Sequence, residues 1–288
     1  MIWGANGSGK TSLLEAIYIL SFGKSFKTHK QTSIIKKGNR NYIIKGVFCT
    51  ENITNNIAIQ TDLKNKKTIK LNGKTIKNRK EIIGKNNVVV LSPEDQIITK
   101  GGPKERRFFF DRLFSVVNND YLNTLQDFNR ALKQRNALLV NNKQAKEEVF
   151  FPWEEKLSIS AIRLWQKRED CFYDYVKSLN KVIAKYQKDL ILTVSYKEET
   201  CTKEDFRKKL KKTRERDSLL GTTTNGPHRD NIKVLWDEKN IRDFGSQGEH
   251  KIALIILKLA EINLIKQKTG KHPTILLDDV FAKLDLNR

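Results

Sequence analysis

Gly4-Ala5-Asn6-Gly7-Ser8-Gly9-Lys10-Thr11 is the stretch on which the reading of this chain turns. Its glycines let several backbone N–H groups converge on one anion without Cβ atoms in the way. A lysine and a hydroxyl close the octet, which fits G-x-x-x-x-G-K-[ST] at every position. A helix beginning near Lys10 would aim its positive end at bound phosphate, and Leu13, Ile17 and Leu20 are expected to give that helix a buried face. The expectation is a P-loop for ATP: Gly4, Ala5, Asn6, Gly7, Ser8 and Gly9 cradle the phosphates, Lys10 reaches the β- and γ-phosphates, and the Thr11 hydroxyl ligates Mg²⁺. The competing reading is a glycine-rich turn, which leaves the Gly-Lys-Thr ending and the helix after it unexplained.

Two later segments carry the matching chemistry. Residues 274–279, Thr-Ile-Leu-Leu-Asp-Asp, read as an apolar strand ending in two acids, a Walker B pattern. Asp278 is expected to hold Mg²⁺ and Asp279 to polarise the attacking water. Asp285 sits where a D-loop would be. Upstream, Phe244-Gly245-Ser246-Gln247-Gly248-Glu249 precedes a helical stretch at 248–268. A small, glycine-flanked serine at a helix start is either an N-cap or an anion site. Its place before the Walker B strand is that of an ABC signature motif, so Ser246 and Gly248 are expected to meet the γ-phosphate held by an opposite subunit. Ser246 and Asp279 are thus the catalytic candidates.

Working outward, residues 42–49, 57–61 and 67–71 read as strands, with Asn72-Gly73 a hairpin turn, and 88–91 as a buried strand. From Lys104 to about Lys188 the apolar residues recur at helical spacing, and 203–216 continues as a basic helix. Motifs from both ends serve one site, so the expected fold class is α/β: an ABC/SMC-like P-loop ATPase head formed by residues 1–111 and 221–288, with a mainly helical lobe, 112–220, inserted between them. The longest apolar runs are far too short to cross a bilayer. Cys49, Cys171 and Cys201 are too few and scattered for a disulfide framework or a zinc site, which points to the cytoplasm. A formal net charge of +22 favours a polyanionic partner, nucleic acid most simply. A Lys-, Asn- and Ile-rich composition set by genome base content would produce the same excess.

The chain resembles the RecF family of bacterial recombination and gap-repair proteins. The resemblance rests on GANGSGKTSLLEAIYIL at 4–20, GKSFKT at 23–28, SPED at 92–95, GGPKERRFFFD at 101–111, RALKQRNALL at 130–139, GPHRDNI at 226–232, FGSQGEHK at 244–251 and LLDDVFAKLDLNR at 276–288. It implies an SMC-like head that forms a homodimer around ATP, with weak, DNA-stimulated hydrolysis. It also implies binding to double-stranded DNA and to single-strand/double-strand junctions at gaps, and action with RecR and RecO in loading RecA during repair of damaged DNA. RecF proteins carry further strands before the P-loop and a switch segment after the D-loop, so a fragment missing both ends, or a mis-started gene, is expected. Lys283 stands where the family has Glu. Two other readings stay open: a different SMC-like head, against which stands the lack of a long heptad array in 112–220, and a catalytically impaired remnant that binds DNA by charge.

Among secondary candidates, His228 or Arg229 could line the nucleotide or dimer face, or form a turn with an Arg-Asp pair. Arg106 and Arg107 could contact phosphate or support a helix. Glu94 or Asp95, in Q-loop position, could sense Mg²⁺ or simply belong to an exposed turn. Lys208, Lys209, Lys211, Lys212, Arg214 and Arg216 could track DNA phosphate or form a solvated face. Trp3, Trp153, Trp165 and Trp236 have no base-stacking spacing and are expected in core or interface positions.

Overall fold

The computed structural model describes residues 2–5, 7–28, 30–50, 53–141, 146–186, 190–197 and 201–278. Asn6, Asp279, Lys283 and Asp285 lie outside the described residues. In chain order, the elements begin with α1 (Lys10–Phe22), β1 (Asn41–Thr50), β2 (Ile53–Asp62), β3 (Lys67–Leu71), β4 (Lys74–Ile76) and β5 (Val88–Leu91). Then come the short α2 (Ile97–Lys100), α3 (Pro103–Val117), α4 (Asn119–Asn141), α5 (Glu147–Tyr186), β6 (Leu192–Ser195), α6 (Lys203–Lys212) and α7 (Arg214–Leu220). The chain continues through β7 (Lys233–Trp236), β8 (Lys239–Asn240), α8 (Ile241–Phe244), α9 (Gln247–Thr269) and β9 (Thr274–Leu277).

The chain folds as two compact units, Met1–Asp95 with Ile265–Arg288, and Gln96–Leu264. These divisions differ from the boundaries expected at 111/112 and 220/221. Helix α3 runs unbroken through residue 111, whereas the α7 end at Gly221, with φ 64°, does fall at the expected breaker.

In the first unit, β1 to β4 form an antiparallel sheet in sequence order. Burial alternates along β2, with Asn55, Ile57, Ile59 and Thr61 inward, the period a half-buried strand requires. The β3–β4 turn places Asn72 at φ 51° and Gly73 at φ 81°, the double left-handed turn that the Asn-Gly pair favours. Helix α1 packs on this sheet through Ile19 and Leu20, against Ile57, Ile59, Ile69 and Ile82. The approach is close: a Cβ on Gly46 of β1 would meet Leu20 Cδ1 at 2.5 Å. The buried face of α1 lies at Tyr18–Phe22, while Leu13 is 50% exposed. The expected face therefore holds only in the C-terminal turns, because the N-terminal turn belongs to the loop. Separately, β5 and β9 pair in parallel, Val88 with Thr274 through Leu91 with Leu277.

The second unit is mainly helical. The 40-residue helix α5 folds back along α4 and α6, so its length produces a packed lobe. Phe110, Phe114, Phe172 and Tyr175 form its aromatic centre. Trp165 is buried there, whereas Trp3 in the first unit is 86% exposed and belongs to no core. A three-stranded sheet, β6-β7-β8, completes the unit.

Two buried arginines organise this lobe. Arg135, 0% exposed, donates to Glu154 Oε1 at 3.1 Å, Asp217 Oδ2 at 2.7 Å, Thr223 Oγ1 at 2.8 Å and Leu210 O at 2.9 Å. Arg168, 1% exposed, donates to Tyr121 Oη at 3.1 Å, Pro227 O at 2.9 Å, Asp230 Oδ2 at 2.5 Å and Asp111 Oδ1 at 2.9 Å. Removing one partner of such a set strands the others in a low dielectric, which costs about 3–5 kcal/mol. Arg135→Met is therefore expected to lower the urea midpoint of the second unit, followed by tryptophan fluorescence, by a corresponding amount. A loss below about 1 kcal/mol would mean that water reaches Glu154 and Asp217.

Candidate nucleotide-binding site

The loop at 4–11 turns at Ser8, whose N–H donates to Ala5 O at 3.2 Å. Gly7 and Gly9 take φ of 80° and 89°, a left-handed conformation that a Cβ disfavours. Gly9 is the residue before α1, so Lys10 and Thr11 occupy the first turn of the helix, where unpaired N–H groups point out along the axis. Lys10 Nζ donates to Gly4 O at 2.8 Å and Ala5 O at 2.9 Å, which folds its ammonium back over the loop.

Thr11 and Asp278 meet here. Asp278 follows β9 and its N–H donates to Leu91 O at 3.0 Å, extending the parallel pairing by one step. Thr11 Oγ1 then donates to Asp278 Oδ1 at 3.0 Å, across 267 residues of sequence. Adjacent oxygens around an octahedral Mg²⁺ at about 2.1 Å stand about 3 Å apart, so this hydroxyl–carboxylate pair fits two neighbouring positions of that ion. Among the described residues no cluster of three or more His, Cys, Asp or Glu could hold a metal by itself. Such a pair would hold Mg²⁺ only together with phosphate oxygens and water, the usual manner of this ion.

Further contacts hold the loops of the first unit. The Asp95 carboxylate accepts from Ser92 N at 3.0 Å and Ser92 Oγ at 3.3 Å, closing the turn after β5; Glu94 is exposed. Ser25 donates to the Glu15 carboxylate and accepts from the N–H groups of Lys27, at 2.9 Å, and Thr28, at 3.0 Å. This ties the 23–28 segment to α1 beside a cleft of about 400 Å³. Nothing in the spacing of Glu15 and Ser25 announced that contact.

In the second unit, α9 begins at Gln247, and Ser246 is its cap. Glu249 N donates to Ser246 Oγ at 3.3 Å while Ser246 N donates to Glu249 Oε2 at 2.6 Å, a capping box. That hydrogen bonding holds Glu249 below the usual carboxylate range. Ser246 and Gly248 are nonetheless exposed, although the Glu249 carboxylate occupies the Ser246 N–H. The chain arrives tightly: a Cβ on Gly245 would meet Ile241 O at 2.5 Å.

Arg106 and Arg107 are bound to backbone. Arg106 donates to Ile232 O at 2.6 Å and Gly101 O at 2.9 Å, and Arg107 to Asp230 O at 2.5 Å. Asp230 pairs with Arg168, not with its neighbour Arg229, and also accepts from Trp165 Nε1 at 3.0 Å and Tyr196 Oη at 3.0 Å. Arg229 instead donates to Thr223 O at 3.1 Å. In the basic run, Lys211 is paired with Glu147 at 2.7 Å and Arg214 with Glu154 at 2.7 Å. Lys208, Lys212 and Arg216 are exposed, one every fourth residue.

Residues 1–288 match the family model described as RecF/RecN/SMC N terminal domain. With the P-loop and the β9 carboxylate, this defines an α/β P-loop ATPase head of the ABC/SMC-like class. The DNA replication and repair protein RecF of Lachnoclostridium phytofermentans is 35% identical over 295 residues, covering 100% of this chain and 81% of that protein. RecF of Thermoanaerobacter sp. is 33% identical over 301 residues, covering 100% of this chain and 82% of that protein. A solved structure of the recombination mediator protein RecF with ATP, from the RecFOR pathway, superposes with a TM-score of 0.91 at 31% identity, covering 99% of this chain and 80% of that one. The chain belongs to the RecF family. No helix among the described residues is long and apolar enough to cross a membrane.

His228 provides a pH test of the loop that carries GPHRDN. Burial pushes its imidazole down to about 4, with Arg229 and Arg107 acting in the same direction and the bond to Thr223 O and the charge of Asp217 opposing. The unfolded chain takes up a proton near pH 6.5 that the folded chain refuses until about pH 4. Stability is therefore lost as pH falls through that window, by up to about 3 kcal/mol. His228→Gln is expected to flatten this part of the stability–pH curve measured by urea unfolding, with little change above pH 7 beyond any packing cost.

Proposed function

We propose that this protein is an ATP-dependent DNA-binding protein of RecF type, acting in DNA replication and recombinational repair. ATP sits in the loop at 4–11 with Lys10 at the β- and γ-phosphates. Mg²⁺ is held by Thr11 and Asp278, and Asp279 orients the attacking water. The observation that carries this reading is the 3.0 Å contact between Thr11 and Asp278, which no separate role for either residue requires. RecF solved with ATP supports the same ligand here.

Ser246 and Gly248 belong to a composite site in this reading. Each ATP is held between Lys10 of one subunit and Ser246 of another, so ATP drives formation of a homodimer and hydrolysis releases it. The exposure of Ser246 and Gly248 at the α9 start supports this reading, in which the γ-phosphate displaces the Glu249 carboxylate from the Ser246 N–H. Duplex DNA, including junctions at gaps, is bound mainly through phosphate by cationic surface, and the exposed series Lys208, Lys212 and Arg216 supplies part of it. RecR with RecO, and RecA loading downstream, are the partners that fit a RecF-type role.

Lys10→Ala is expected to weaken Mg²⁺-dependent ATP binding by at least about 100-fold in a calorimetric titration, since it removes the cation facing two phosphates; unchanged affinity would sink the P-loop assignment. Ser246→Arg is expected to leave nucleotide affinity of the monomer intact and to block ATP-driven dimerisation. Mixing Ser246→Arg with Lys10→Ala creates one site with both residues intact, and dimer signal in light scattering should return in part. Absence of any return, with both variants folded, would rule out the composite site.

A further inference from the structure

We propose that the second unit carries its own phosphate-binding cleft, formed by Lys197, Arg229 and Lys233, which grips the backbone of duplex DNA. The proposal deepens the DNA-binding part of the function proposed above and rests on that reading.

The cleft has a volume of about 550 Å³ and lies at the GPHRDN loop, between that loop and the β6–β7 strands. Lys233 opens β7, paired opposite Ser195, and Lys197 follows β6 by two residues. Arg229 comes from the loop. Its Nε and one terminal nitrogen are held by Thr223 O, at 3.3 and 3.1 Å, and that nitrogen also reaches Thr222 Oγ1 at 3.4 Å. These bonds fix the guanidinium, and Arg229 lines the cleft. Asn231 adds an amide group to the same lining, whereas the Asn225 amide nitrogen already donates to Thr213 Oγ1 at 3.3 Å and Thr224 Oγ1 at 3.2 Å.

Among the described residues, one carboxylate, Asp230, also lines the cleft. Its oxygens accept from Trp165, Arg168 and Tyr196, which hold them toward the core, where Arg168 is shared with Asp111. The three cations outnumber that one carboxylate in the described lining.

The loop is unusually well anchored. Arg135 holds Thr223, Arg168 holds Pro227 O and the Asp230 side chain, Arg107 holds Asp230 O, and Arg106 holds Ile232 O. A surface turn does not need arginines on both sides of it to stay folded. A loop that presents donors to a ligand gains affinity from being fixed beforehand, because less freedom is lost on binding.

The chemistry of the lining separates the possible ligands. Among the described residues it contains no aromatic and no aliphatic side chain. A nucleotide pocket encloses its base in mostly apolar walls, and single-stranded nucleic acid is held by stacking on aromatic rings. A polar, cationic, open cleft offers neither. It offers what duplex backbone uses, point charges and amide donors for phosphodiester oxygens.

The test is the salt dependence of binding between the 288-residue chain and a fluorescently labelled DNA duplex, read by anisotropy across a series of KCl concentrations. Each phosphate contact contributes about 0.9 to the slope of log K against log salt. Lys197→Gln with Lys233→Gln alters only exposed side chains and is expected to lower the slope by about 1.8, and adding Arg229→Gln by a further 0.9 or so. Affinity for a non-hydrolysable ATP analogue with Mg²⁺ should stay within about twofold of the parent, as expected for a site that takes no nucleotide. Lys208→Gln with Lys212→Gln and Arg216→Gln serves as the comparison that reports on DNA binding elsewhere. If the parent slope is steep and the cleft variants keep it, the cleft is not a DNA site while the general DNA reading stands. If the parent itself shows no salt-dependent duplex binding, the DNA reading fails and takes this inference with it. A parallel loss of nucleotide affinity in folded cleft variants would also overturn the assignment.

Discussion

Thr11 Oγ1 and Asp278 Oδ1 stand 3.0 Å apart although 267 residues separate them. In the proposed Mg²⁺ site a small dication would accept little deviation in ligand spacing, so that reading depends on what holds this contact. Two constraints hold it. The parallel pairing of β9 with β5 fixes where the strand ends, and the Asp278 N–H bond to Leu91 O fixes the residue beyond it. On the other side, α1 is clamped to the β1–β4 sheet by Ile19 and Leu20, which fixes the first helical turn through the rigidity of the helix. The left-handed Gly9 then allows the loop to meet that turn.

The second unit solves a different problem with buried charge. Its long helices could slide along one another if apolar contacts alone held them, since ridges and grooves permit more than one register. Arg135 and Arg168 each donate to acceptors from several segments at once. An arginine's planar fork satisfies such a set only in one arrangement. The arrangement also pins the 222–232 segment, which links helix packing to the shape of the cleft at Arg229. Ser246 shows the same economy of residues, closing the α9 N-terminus through Glu249 and yet remaining exposed.

Much of this was legible in the sequence where chemistry is local. The octet at 4–11 specifies its own conformation, because only glycine takes the left-handed turns that Gly7 and Gly9 require at low cost. Asn72-Gly73 dictates a hairpin for the same reason, and the S-x-x-E spacing of Ser246 and Glu249 is by itself a helix start. The apolar run 274–277 announces a strand but not its burial: only Leu276 is inward, while Ile275 and Leu277 are 49% and 48% exposed. What the sequence misplaced or left open turns on distant partners. Leu13 follows helical periodicity yet is exposed, because the period says nothing about where along α1 the sheet ends. Arg229 and Asp230 are adjacent, yet Asp230 bonds Arg168 and Arg229 bonds Thr223.

The sequence alone therefore determined the phosphate loop, the strand and helix types, the excess of positive charge and the family to which these motifs point, since each depends on backbone preferences or composition within a short window. Only the tertiary structure decided that Thr11 meets Asp278, that Arg106, Arg107, Arg135 and Arg168 are structural, and that Lys197, Arg229 and Lys233 line one cleft. Hydrogen bonds and ion pairs act over a few ångströms in space, and residues far apart along a chain acquire that proximity only when strands pair and helices pack.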